Sequence, residues 1–227
     1  MEVDAEGATW CSIGGVATDS RSITNRAPAG PHSGSIVRVS SDGRRIEVVG
    51  RRAREPFFGR DPETGRIVMS DQQGNWIPAS GLFPVTEGAD FGYGAGEVPG
   101  LALPAVWIPH DQDTSSASPL WLRGSAFEAW EGGVLHLSYG TGALFLGRPG
   151  AGWPARQGAV LPLGIRTGLP LLHARVRPGE GSVWLAGFRI YDSGAPALEG
   201  IGRLRPSGEP LAEAVDATIV REGVVLK

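Results

Sequence analysis

The sequence has 227 residues, of which 41% are hydrophobic, and a net charge of -3. These values describe a globular chain that can bury a core, and they exclude a disordered segment. The small negative charge gives no electrostatic reason to expect a nucleic acid partner. The basic run "RRIEVVGRRARE" is interleaved with Glu47 and Glu55, so we interpret it as a solvated strand surface.

The rarity of cysteine and lysine excludes several kinds of active-site chemistry. Cys11 is the one cysteine, which excludes an internal disulfide, a thiolate metal site and a covalent haem attachment motif in this chain. Lys227 is the one lysine, so Schiff-base chemistry is almost excluded. The first residues carry no export signal, and no apolar run approaches the ~18 residues of a membrane helix. We therefore expect no membrane span.

Short apolar runs bounded by turn residues follow one another along the chain and predict strands. In chain order they are 35–40, 45–50, 66–71, 105–109, 133–140, 143–147, 159–164, 172–177, 182–190 and 201–206. No stretch keeps an apolar period of 3.6 over three turns, so we expect almost no helix. Trp107, Trp121 and Trp184 fall in or beside these strands and are expected in the core.

A weak internal repeat groups some of these strands. The segments "RDPETGRIVMSD" (60–71), "WEGGVLHLSYG" (130–140) and "RPGEGSVWLAG" (177–187) each place a glycine turn before an apolar strand. Their spacing approaches one blade of a β-propeller, and residues 1–206 would hold about four such blades. We assign "SIVRVS", "RIEVV", the segment near "EPFFG" and "RIVMSD" to one antiparallel four-stranded blade. A closed four-bladed ring and a β-sandwich remain alternatives.

A family resemblance then appears over residues 34–190. The stretch "TGRIVMSDQQGNWIP", followed by "PAVWIPHD", "WEGGVLHLSYGTGALFL" and "GAVLPLGIRTGLPLLHARVRPGEGSVWLAGF", resembles the glucose and sorbosone dehydrogenase-like propellers. The resemblance is to the branch found in large secreted bacterial proteins that also carry a c-type haem domain. It implies an all-β fold, here a partial six-bladed β-propeller of about four blades, and a periplasmic or secreted location.

The resemblance also implies cofactors. Enzymes of this family bind pyrroloquinoline quinone with calcium and oxidise sugars, and the matching cofactor-binding positions here are Arg54 and Arg175. Several contacts differ, since Glu55 replaces an asparagine, Gly140 or Thr141 a lysine, and Leu172 an arginine. A carboxylate at position 55 is electrostatically unfavourable for an anionic quinone. Any haem is expected in a linked cytochrome c-type domain outside this chain.

Polar residues at strand ends form the predicted ligand-binding surface. They offer hydrogen-bond donors and acceptors together with aromatic faces, which suits a sugar or polyol-like molecule. The predicted ligand-binding residues are Asp71, Gln72, Gln73, Trp76, Tyr139 and His173. Two functions stay open, a quinone-dependent sugar dehydrogenase and a non-catalytic module that binds carbohydrate or protein on its top face. The sequence identifies no catalytic residue.

The loop "PHDQDTSSAS" (109–118) holds His110, Asp111 and Asp113, whose oxygens could bind calcium. The bidentate glutamate of a calcium loop is missing, so we expect a plain surface loop and no metal site. His136 alternates with Val134 and Ser138 and is expected to be a hydrogen-bonded structural residue.

The chain ends are expected to continue into a longer protein. Residues 1–206 are predicted to be the C-terminal part of the propeller, with further blades before Met1. The tail 207–227, "SGEPLAEAVDATIVREGVVLK", is predicted to be a linker and the first strand of a following β-domain.

Overall fold

The fold is known from a computed structural model of the chain. The structure describes residues 1–15, 31–72, 79–93, 99–150, 157–208, 217–220 and 223–226. Strands dominate these segments, and their helical content is a 3-10 turn at Glu128–Trp130. The prediction of an all-β chain is therefore confirmed. No helix in these segments is long and apolar enough to cross a membrane.

The strands in chain order are β1 (Glu2–Val3), β2 (Thr9–Ser12), β3 (Ile36–Val39), β4 (Ile46–Arg51), β5 (Phe57–Arg60), β6 (Ile67–Asp71), β7 (Ala79–Val85), β8 (Ala89–Asp90), β9 (Val106–Pro109), β10 (Leu120–Trp121), β11 (Val134–Leu137), β12 (Ala143–Arg148), β13 (Ala159–Arg166), β14 (Leu171–Val176), β15 (Val183–Phe188), β16 (Glu199–Leu204), β17 (Ala217–Val220) and β18 (Gly223–Leu226).

These strands form consecutive sheets, as blades of a propeller do. The first sheet has the order β1-β2-β3-β4-β8, the second β5-β6-β7-β9, the third β10-β11-β12-β13 and the fourth β14-β15-β16. Nearly every pairing is antiparallel, the exception being the short parallel contact of β4 with β8. In the tail, β17 and β18 pair with each other as a hairpin. The partial propeller of about four blades is thus confirmed.

One blade boundary was predicted wrongly. The sequence grouped β3 and β4 with β5 and β6, but the structure divides them between the first and second sheets. The segment between Arg51 and Phe57 leaves one sheet and enters the next, with the N–H of Ala53 bound to the carbonyl of Gly34 at 2.8 Å. The second sheet is completed by β7, which the sequence analysis missed.

The internal repeat is visible in the hydrogen bonds. The repeated strands β6, β11 and β15 each occupy the second position of their sheet. In the turn before β6, Asp61 N–H bonds to the carbonyl of Arg66 and Gly65 N–H to that of Asp61. The turn before β15 repeats this pattern, with Arg177 N–H bound to Ser182 and Gly181 N–H bound to Arg177. Both turn glycines, Gly65 and Gly181, have positive φ, a conformation that glycine adopts without strain.

Apolar residues between neighbouring sheets form the core. Ile36 and Phe91 of the first sheet region pack with Met69 and Phe83 of the second. Further clusters join the second sheet to the third and the third to the fourth. Trp107, expected in the core, is instead 41% exposed on β9, since β9 is the outermost strand of its sheet.

A buried ion pair fixes the second sheet against the third. The carboxylate of Asp61 is fully buried and accepts Arg123 Nε at 3.0 Å and Nη2 at 2.8 Å. The same carboxylate accepts the N–H of Glu63 and the hydroxyl of Thr64, which shapes its own turn. These hydrogen bonds, chiefly from Arg123, outweigh burial and hold the pKa of Asp61 below its usual value.

Gly59 allows a close approach of these two sheets, and we predict that Gly59→Ala destabilises the chain. A methyl group there would overlap the carbonyl oxygen of Pro119, next to the hydrogen bond from Trp121 Nε1 to Gly59 O at 3.1 Å. We expect a loss of about 1–3 kcal/mol in the free energy of unfolding, measured by urea denaturation. Gly202→Ala is the control, since its new methyl group would lie 3.8 Å or more from its neighbours. Equal stability of the two variants would contradict the close contact.

The two ends of the row of sheets carry exposed apolar side chains. Ile46 and Val48 on β4 are 52% and 44% exposed, and Phe188 and Ile201 at the other end are 56% and 74% exposed. One ion pair links the two ends, from Arg175 Nη2 to Glu2 Oε1 at 3.1 Å. This pattern fits a propeller that is incomplete within the described residues.

Candidate functional site

A cavity of about 300 Å³ lies where the four sheets meet. This volume is at the lower end of the range for small-molecule sites. Its walls come from the end of β2, the segment before β5, the strand ends after β11 and β15, and β14. The lining residues are Ser12, Gly14, Glu55, Pro56, Phe57, Ser116, Tyr139, Leu172, Ile190 and Tyr191. Because every sheet contributes, the cavity depends on the whole arrangement of sheets.

Asp71 lies behind the cavity wall and supports its backbone with hydrogen bonds. It ends β6, and its carboxylate points inward, where Oδ2 accepts the N–H of Arg54 at 2.8 Å. Oδ1 accepts the N–H groups of Glu55 at 2.8 Å and of Gln72 at 2.9 Å. Burial raises the pKa of Asp71 to about 6 in spite of these three donors. Through these three hydrogen bonds the Asp71 carboxylate fixes the segment that places Glu55 in the cavity wall.

Glu55, Gln72 and Tyr191 form a polar network at this wall. The amide Nε2 of Gln72 donates to Oε2 of Glu55 and lies 3.4 Å from the hydroxyl of Tyr191. Glu55 is partly exposed. Burial first, and then the negative charge of Glu55, raise the pKa of Tyr191, which keeps its hydroxyl protonated as a donor.

Tyr139 holds the opposite wall. Its hydroxyl accepts the N–H groups of Ile190 at 2.8 Å and Tyr191 at 2.9 Å, and it donates to the carbonyl of Tyr191 at 2.6 Å. The two tyrosine rings lie 4.5 Å apart between centroids, tilted by 38°. The fourth sheet's strand end is therefore attached to the third sheet at the cavity, and it brings an aromatic face with it.

The loop 109–118 supplies Ser116 and is not the plain surface loop that was predicted. Asp113 and His136 are both fully buried, with Oδ2 and Nε2 2.7 Å apart. The hydroxyl of Ser116 donates to the same carboxylate oxygen at 2.7 Å. Asp113 turns inward because His136 and two hydroxyls surround it. The buried, hydrogen-bonded position of His136 is the one that strand alternation predicted.

The structure separates the residues predicted to bind ligand or cofactor. Tyr139 lines the cavity, while Asp71 and Gln72 stand directly behind its wall. His173 lies outside the lining, with Nδ1 2.8 Å from the hydroxyl of Ser118 and its ring edge-on to Phe57. The predicted residues Gln73 and Trp76 lie outside the described residues.

The two predicted cofactor-binding arginines also lie outside the cavity lining. Arg54 is buried beside Asp71, and it is its backbone that meets the Asp71 carboxylate. Arg175 projects from β14 toward Glu2, with a side chain 59% exposed. Neither arginine is therefore among the lining residues, although Arg54 directly precedes the wall residue Glu55 in the chain.

Sequence reasoning missed most of the cavity lining. Tyr191 could have been found, because it follows the repeated strand β15 as Tyr139 follows β11 and Gln72 follows β6. Ser12, Phe57 and Leu172 gave no such signal, since they are ordinary strand residues until neighbouring sheets bring them together.

The residues present do not fit pyrroloquinoline quinone in this cavity. That quinone carries carboxylates and needs cationic partners, whereas the one charged side chain among the described lining residues is the carboxylate of Glu55. Nor do the described residues contain a group of three or more histidine, cysteine or acidic side chains that could hold a metal ion. We therefore derive no step through a quinone or a metal.

Comparisons with known proteins agree on the fold. The chain matches no protein-family model and no curated protein. Among solved structures it is similar to a glucose dehydrogenase, with 17% identity, a TM-score of 0.66, and coverage of 90% of this chain and 63% of the other. A glucose dehydrogenase from Thermus thermophilus, described as a putative oxidoreductase, matches with 16% identity, a TM-score of 0.59, and 81% and 57% coverage.

The PQQ-bound aldose sugar dehydrogenase of Streptomyces coelicolor matches with 15% identity, a TM-score of 0.53, and coverage of 75% of this chain and 51% of the other. The chain thus spans less than two thirds of the length of these structures. Identity this low supports the fold and not the activity. On the sheet order and these matches together, the chain has the β-propeller fold of the glucose and aldose sugar dehydrogenases.

Proposed function

We propose that this chain is the ligand-binding part of a sugar dehydrogenase-like propeller and holds a sugar or related polyol in the cavity between its four sheets. One observation carries the proposal: the Glu55, Gln72 and Tyr191 network faces the same cavity as the Tyr139 and Tyr191 rings. A sugar presents hydroxyl groups that donate and accept, together with an apolar ring face. The cavity offers matching groups for both.

The polar groups of the wall are already oriented. The amide of Gln72 is bonded to Glu55, so the free lone pairs of that carboxylate are acceptors for ligand hydroxyl groups. The hydroxyls of Tyr191, Ser12 and Ser116 can donate or accept. Phe57, Leu172 and Ile190 supply the apolar part of the wall. A small, mostly apolar pocket with a few convergent polar groups is the usual form of a small-molecule site.

The proposal predicts that Tyr191→Ala weakens sugar binding. The substitution removes an aromatic face and a hydroxyl at the cavity, so we expect an affinity loss of about tenfold for a monosaccharide such as D-glucose. Isothermal titration calorimetry on the 227-residue chain measures it. The control is Phe188→Ala, which removes an exposed ring outside the lining. Equal sugar affinities of wild type and Tyr191→Ala would show that the sugar does not bind in this cavity.

Sugar oxidation is the second candidate, and the fold favours it, since the similar structures are sugar dehydrogenases. In this version the cavity holds the substrate, and an oxidant bound outside the described cavity lining takes the two electrons and the protons of the sugar. A cytochrome c-type haem domain, linked to the propeller in a secreted or periplasmic protein, would then reoxidise it one electron at a time. Incubation of the chain with sugar, pyrroloquinoline quinone, calcium and a redox dye tests it. Dye reduction would favour the dehydrogenase, and binding of sugar without dye reduction would favour the binding module.

A further inference from the structure

Glu55 is a carboxylate on the cavity wall with no cationic partner among the described residues. Its backbone N–H is fixed by Asp71 at 2.8 Å, and its side chain accepts one hydrogen bond, from the neutral amide of Gln72. The ion pairs of the described residues do not include it. Other glutamates of the chain, such as Glu47 and Glu180, do pair with arginine. The charge of Glu55 is therefore left to act on whatever occupies the cavity.

The apolar surroundings strengthen the attraction of the Glu55 carboxylate for a cation. Pro56, Phe57 and Leu172 line the same cavity as Glu55 and make much of its wall apolar. Coulomb attraction grows as the effective dielectric constant falls below that of water.

Aromatic residues line the same cavity. Tyr139 and Tyr191 lie 4.5 Å apart between centroids, and Phe57 lines the wall next to Glu55. The face of an aromatic ring carries negative potential and attracts cations, most strongly where water is excluded. A carboxylate and aromatic faces around one small cavity favour an ammonium group over a neutral hydroxyl, and they repel a carboxylate.

We infer that the cavity selects a ligand with a protonated amino group beside Glu55, which for a sugar-binding site means an amino sugar in preference to a neutral or acidic sugar. This inference rests on the proposed function and names its ligand class. Glu55 is the residue that determines the specificity. The ammonium group donates to Glu55, while the remaining hydroxyl groups meet Tyr191 and Ser116.

Calorimetric titration of the chain with D-glucosamine, D-glucose and D-glucuronate, slightly below neutral pH, tests the inference. A hydrogen bond between charged groups is stronger than a neutral one. We expect the wild-type chain to bind glucosamine at least about tenfold more tightly than glucose. Glucuronate should bind most weakly. In Glu55→Gln, which keeps an acceptor for Gln72, glucosamine and glucose should bind equally.

Glu87→Gln is the matched control, because Glu87 is exposed and lies outside the cavity lining; it should keep the wild-type preference. Equal wild-type affinities for glucosamine and glucose would overturn the inference and leave the proposed function standing. Absence of binding for all three sugars would overturn both. If Glu55→Gln does not fold, the wild-type order of the three affinities decides alone.

Discussion

Asp71→Ala will lower the free energy of unfolding by about 2–5 kcal/mol and abolish ligand binding at the cavity. The substitution removes the acceptor for three backbone N–H groups, those of Arg54, Glu55 and Gln72. Each buried donor left without a partner costs about 1–3 kcal/mol. Urea denaturation with calorimetric titration measures both effects. A variant with wild-type stability would show that the Asp71 carboxylate does not fix this wall.

The pH dependence gives an independent check on Asp71. Its pKa is about 6 in the folded chain against an ordinary value of 3.8, so the folded state binds the proton more tightly than the unfolded state. The contribution of Asp71 to stability is therefore fully present below pH 3.8 and is lost as the pH rises to about 6. Asp71→Asn removes this titration. The stability difference between wild type and Asp71→Asn should change across that pH window, and a constant difference would contradict the raised pKa.

Breaking the buried pair of Asp113 and His136 will have an effect of similar size. His136→Ala leaves the fully buried Asp113 carboxylate with hydroxyl donors alone, and removing one partner of a buried pair costs about 3–5 kcal/mol. The loop that carries Ser116 should also loosen, so sugar affinity should fall together with stability. Urea denaturation of His136→Ala, Asp113→Ala and the double variant forms the test.

The double variant should cost less than the sum of the two single variants, because the residues contact each other directly. His110→Ala, an exposed histidine of the same loop, is the control and should stay within about 0.5 kcal/mol of wild type. His136 holds the pKa of Asp113 below its ordinary value against the opposing effect of burial. The stability from this carboxylate is therefore present near neutral pH and is lost on acidification. Strictly additive losses would contradict the pair.

Strands with regular alternation and marked turns could be predicted from the sequence, while irregular ones could not. The turns at Gly65 and Gly181 come before strands that were predicted within a few residues. Strand β7 was missed because it contains Pro84, a residue that is rare inside sheets. The structure accommodates Pro84 because β9 pairs only with residues 79–82 of β7, so no partner on that side needs its missing N–H.

The candidate site was predictable only where a repeated strand ended. Tyr139 follows such a strand and lines the cavity, and Tyr191 occupies the corresponding place after β15. Asp71 also stands at the end of a repeated strand, but its side chain binds backbone N–H groups behind the wall and does not line the cavity. The periodicity of the sequence does not distinguish these two orientations. The sequence marks Glu55 as a departure from the quinone-binding pattern. Its position on an otherwise uncharged wall depends on how the four sheets pack together, which the sequence does not show.

The most direct test of the central claim is a crystal structure of the chain with D-glucosamine. Our account predicts a sugar ring in the cavity between the Tyr191 ring and Phe57, with its nitrogen within hydrogen-bond distance of the Glu55 carboxylate. A sugar bound elsewhere on the chain, with the space beside Glu55 filled by solvent, would contradict it.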